Sequence, residues 1–200
     1  MKTEQKDYIH KGLGKYLIAL IGNMVASIAM SIVKLNVTDQ TTFTTVGIIV
    51  ICFLLFFSIL ELIGLFQAGK SGIKYFTYAA YFEIFDAIYD FVVAIIPVIL
   101  GTSLDNTWVE AVGSVVSVIS FTLILLGYVK TANEFNYSPV LSYAALIFYV
   151  VGFILSIVTL FLFKNESALT NESLVSDLAI SIGGFLLSIF ATFQCYKKTK

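Results

Sequence analysis

Apolar residues run through this chain in six long blocks separated by short polar turns. A helix needs ~20 mostly apolar residues to cross the hydrocarbon core of a bilayer. Blocks of that size lie at about 16–35, 44–67, 75–100, 108–129, 139–163 and 173–195. The connections read NVTDQTTF, AGKSGIK, GTSLDNT, KTANEFNYS and KNESALTNES, which are polar and rich in turn formers. The pattern predicts an all-α fold, a single transmembrane helical-bundle domain of six spans over residues 1–200. Residues 1–15 read as a polar, soluble stub ahead of the first span. That start is like a secretory signal, with Ser27 and Ala29 as small residues for cleavage. The apolar run nevertheless continues through Val33, so an uncleaved first helix is expected.

A weak internal repeat overlies the six blocks. GLFQAGK (64–70), GYVKTAN (127–133) and ATFQCYK (191–197) close the second, fourth and sixth spans at intervals of about 60–65 residues. The helices that follow the first two echo each other in Tyr78-Ala79-Ala80 and Tyr143-Ala144-Ala145. The expectation is three parallel two-helix hairpins.

Composition supports the membrane reading. The 200 residues are 58% hydrophobic and 12% charged, with a mean hydropathy of +0.93, against ~25% charged in soluble domains. The lipid bilayer is therefore the first expected partner. The net charge of −1 carries no basic footprint for nucleic acid. All 12 basic residues are lysine, a usage that hints at an AT-rich bacterial genome and removes the bidentate arginine clamp. Ten of them fall with the two termini and the 2–3 and 4–5 loops, leaving Lys34 and Lys164 on the other side. By the positive-inside rule, both termini of a multi-pass cell-membrane protein are expected in the cytoplasm. Cys52 and Cys195 lie at opposite expected depths, and two cysteines are too few for a disulfide framework.

The third span carries the chemistry. Glu83, Asp86 and Asp90 stand at i, i+3 and i+7 and share one arc of a helix with Ala79, Ala94 and Pro97. Each charge at bilayer depth costs ~2.5–3.5 kcal/mol on insertion scales. Three on one stripe must therefore face the bundle interior. With ~1.5 Å of rise per residue, Glu83 sits roughly 12 Å, Asp86 roughly 17 Å and Asp90 roughly 22 Å from the cytoplasmic end. The antiparallel second span returns Glu61 to about the depth of Glu83. On span one, Asn23, Ser27, Ser31 and Lys34 form a polar face suited to support this acidic wall. Gly22 with Ala26, Gly113 with Ser117, and Gly184 with Ser188 read as small-residue packing seams.

Enzyme inventories fail. The only histidine is His10, so a membrane metalloprotease site or a histidine-based triad is excluded. Tyr89-Asp90 is similar to half of the intramembrane aspartyl protease pair, but no GxGD follows. Asp86-x-x-x-Asp90 lies too deep for lipid-linked phosphate chemistry. No cofactor is expected, and the sequence names no metal. The leading expectation is a small transport or solute-binding protein whose carboxylates bind or relay a cation, a proton or an amine. The alternative is a non-catalytic interaction, assembly or immunity subunit that binds another membrane protein. In size and span count the chain is similar to the small substrate-capturing subunits of bacterial vitamin transporters, a likeness of shape without a shared motif.

Overall fold

Long apolar runs, broken only at short polar turns, fold here as helices that satisfy every interior backbone group within one segment. The computed structural model describes residues 2–36, 40–100, 106–162 and 171–200. These form α1 (Lys2–Asn36), α2 (Gln40–Gly69), α3 (Lys74–Leu100), α4 (Asn106–Phe135), α5 (Val140–Leu162) and α6 (Asn171–Lys198). The described residues contain no strand. The all-α expectation holds, and among the described residues three stretches are long and apolar enough to cross a membrane: Lys2–Ala29, Thr45–Gly69 and Ala111–Phe135. The side chains of Ser31, Lys34, Asp90, Ala94 and Pro97 lie outside the described part of the structure.

Each helix packs on its neighbours in sequence, and α1 closes the ring against α6. α4 also reaches across to α6. The closest pair is α1 with α2, followed by α3 with α4. The tightest packing lies at one end of the bundle, where α1, α3 and α5 begin and α2, α4 and α6 finish. Ile9, Leu13, Leu65, Phe76, Ile124 and Cys195 are all buried there in one cluster. In a hydrocarbon solvent such contacts stabilise through dispersion and close fit more than through the hydrophobic effect.

Two turns at that end are set by local chemistry. Gly72, between α2 and α3, has φ of +90°, a left-handed value that suits glycine. Asn136 caps α4 with φ of 55°, and the Tyr137 amide donates back to the Ala132 carbonyl at 3.1 Å. That is the i to i−5 bond of a Schellman ending, and asparagine tolerates the conformation it requires. Pro139 then starts α5, and its carbonyl accepts from the Tyr143 amide.

The N-terminal segment departs from expectation. Residues 2–15 are no free stub but the first turns of α1. Ile9, Leu13 and Tyr16 stand at i, i+4 and i+7 and are at most 1% exposed. The rest of the segment ties the same end together. Gln5 Nε2 donates to the Ser71 carbonyl at 2.9 Å, and Lys6 sits 5.3 Å above the Phe135 ring. His10 stacks on Tyr196 with centroids 4.1 Å apart, and its Nδ1 lies 3.0 Å from the Tyr196 carbonyl. Lys15 donates to Gln67 Oε1. The average polarity of residues 1–15 conceals this apolar stripe, which only helical periodicity exposes.

Candidate functional site

The acidic residues of α2 and α3 meet inside the bundle. Glu61 of α2 is 8% exposed and accepts a hydrogen bond from Asn23 Nδ2 of α1 at 3.2 Å. Glu83 of α3 is partly buried and accepts from the Ser120 hydroxyl of α4. Glu61 and Glu83 lie close enough to act on each other electrostatically. One turn along α3, Asp86 Oδ2 accepts from the Ser117 hydroxyl at 2.9 Å. Three of the four expected carboxylates thus converge, and Asp90 falls among the undescribed side chains.

The supporting face of α1 is met in part. Asn23 serves Glu61 rather than the α3 stripe, since among the described residues α1 packs on α2 and α6. Ser27 is half-buried one turn beyond Asn23. Ser31 and Lys34 lie outside the described side chains.

The polar support from α4, α5 and α6 was not assigned from sequence. Ser117 and Ser120 are the principal donors to the α3 acids. Their spacing of three residues matches that of Asp86 and Glu83 read in the antiparallel sense, a legible signal in a span otherwise rich in valine, isoleucine and leucine. Three tyrosines complete the lining, Tyr16 and Tyr128 buried and Tyr149 partly buried. The Tyr16 hydroxyl lies beside Glu61 and has no hydrogen-bond partner of good geometry among the described residues. Thr192 gives its single proton to the Ser188 carbonyl at 2.7 Å. Tyr128 must therefore be the donor in its 2.8 Å bond to the Thr192 hydroxyl. The Ser188 hydroxyl in turn donates to the Tyr149 hydroxyl at 3.1 Å. Each of the six helices contributes at least one side chain to these polar contacts.

An ionised carboxylate offers about four acceptor positions. Glu61 and Glu83 each receive one neutral side-chain donor by hydrogen-bond geometry. Among the described residues no basic side chain forms an ion pair with either. The described ion pairs, Lys11 with Asp7 and Lys130 with Glu134, stand at the periphery. The Asn23 Oδ1 atom is also buried without a partner among the described residues. The centre is thus rich in oxygen acceptors and short of positive charge. The described residues hold no group of three or more His, Cys, Asp or Glu side chains placed to cage a metal ion. No protein-family model matches the chain, and comparison with curated proteins and with solved structures finds no similar protein.

Proposed function

We propose that this chain is a small, non-catalytic transport or solute-binding membrane protein whose acidic centre binds or relays a proton, an inorganic cation or a protonated amine. The observation that supports it most is the pairing of Glu61 and Glu83. Two carboxylates from different helices sit together among hydroxyl and amide donors. A pair of like charges in a poor dielectric is strongly stabilised by one added positive charge. Intramembrane carboxylates that face the bundle interior are the usual mark of an ion or proton path.

The test is thermal unfolding of the detergent-purified protein across pH and a panel of cations. The comparison is a Glu61→Gln, Glu83→Gln, Asp86→Asn triple variant. A ligand at 100 times its dissociation constant stabilises the wild type by ~2.7 kcal/mol, and the triple variant is expected to lose that response. If no cation or pH step separates the two proteins, the reading fails. Co-purification of a stoichiometric partner from native membranes then becomes the deciding observation.

In the same reading all six helices cross the membrane and both termini face the cytoplasm, with ten of the 12 lysines on that side. A cysteine placed at Lys200 of a Cys52→Ser, Cys195→Ser chain is expected to react in intact cells with a membrane-permeant maleimide alone. Labelling by an impermeant maleimide would reverse the topology.

A further inference from the structure

A cleft of about 420 Å³ opens among α4, α5 and α6, apart from the Glu61–Glu83 pair. Its volume falls in the range of small-molecule sites, roughly 300–1,000 Å³. The walls are aromatic. Phe121 and Tyr149 stack at 4.4 Å, Phe148 meets Tyr149 edge-on, and Phe153 and Phe185 also line the cleft. One strip is polar, formed by Ser114 and Ser117 of α4. Ser117, which borders the cleft, donates its hydroxyl to Asp86. A carboxylate therefore stands one hydrogen bond behind the polar strip.

The combination selects by charge. Aromatic faces attract cations and repel anions. A carboxylate a few ångströms behind the wall acts in the same sense. A neutral acyl chain fits the rings but leaves the serine strip unmatched. We propose that the cleft binds a small organic cation, an ammonium or amine with an aromatic or aliphatic body. The charge lies against Ser114 and Ser117, and the body lies among the phenylalanines. This names a substrate class for the acidic centre and rests on that reading, because Asp86 belongs to both.

Gly152 gives the proposal a clean test. A Cβ built there meets no atom within 4 Å, and the residue lines the cleft. A side chain at 152 therefore starts in open space at the wall of the cleft, with no backbone against its Cβ. The experiment is calorimetric titration of the full chain in detergent with benzyltrimethylammonium, set against phenylmethanesulfonate, an anion of similar shape. The wild type is expected to bind the cation and not the anion. The series Gly152→Ala, Gly152→Val and Gly152→Leu is expected to weaken binding progressively, by tenfold or more at leucine, with an unchanged unfolding midpoint. Asp86→Asn is expected to weaken it by a similar factor. The proton or inorganic-cation response of the acidic centre should survive Gly152→Leu, which separates failure of the cleft from failure of the centre. Equal binding of the two ions, no binding of the cation, or binding indifferent to residue 152 would overturn the assignment.

Discussion

Gly64→Val is expected to destabilise the protein by about 3 kcal/mol, the upper end of ordinary overpacking. α1 and α2 form the closest pair in the bundle, and they meet backbone to backbone. A Cβ at Gly12 would come within 2.5 Å of the Ala68 nitrogen and the Gly64 carbonyl oxygen. A Cβ at Gly64 would come within 2.8 Å of the Gly12 oxygen and the Tyr16 nitrogen. The obstructing atoms belong to helix backbone, which has no rotamer to yield, so the helices themselves must part. Helix pairs in membranes depend on such close approach. Separation here also reaches the site, because Gly64 lies three residues from Glu61 and its obstructing neighbour is Tyr16. Thermal unfolding in detergent measures the effect, with Gly152→Val as a control of the same added volume in open space. Equal midpoints for the two variants would refute the close crossing.

That crossing shows where sequence reading stopped. The block pattern located all six helices, since a long apolar run bounded by polar turns has few other ways to satisfy its backbone. Extensions beyond those blocks were missed at the end where the termini lie, because periodicity there is diluted by lysine, glutamate and asparagine. Gly12 was hidden in that segment. The assigned seam residue Gly22 meets the Phe57 ring instead of backbone, a contact that depends on a side chain across the pair and is invisible along one strand of sequence. The acids were legible because charge within an apolar run is conspicuous. Of their partners Asn23 was legible, whereas the serines and tyrosines were not, because such residues are ordinary in membrane helices and acquire a role only from the helix opposite. Ser117 and Ser120 lie between the two cases. Their antiparallel match to Asp86 and Glu83 was present in the sequence, and it needed the α3–α4 pairing to give it meaning.

Glu83→Met is expected to raise stability while abolishing the cation or proton response. The substitution removes a partly buried carboxylate that sits beside Glu61 and receives one side-chain donor. Burying a charged group with incomplete partners costs more than burying an apolar side chain of similar length. The change leaves no orphan behind, since the Ser120 hydroxyl already has the Ala79 carbonyl 3.4 Å away as an alternative acceptor. Glu61→Met lacks this property, because it strands the Asn23 amide, and an unmet buried donor costs ~1–3 kcal/mol. The two variants therefore diverge if the carboxylate pair serves function: Glu83→Met gains about 1–2 kcal/mol, and Glu61→Met gains less or loses. Unfolding midpoints measured with and without the stabilising cation decide the matter. A Glu83→Met protein that unfolds earlier than the wild type would show that the acid holds the bundle together as a hydrogen-bonded strut. A more stable variant with no ligand response would show a residue kept at a thermodynamic disadvantage, as expected of a group retained for what it binds.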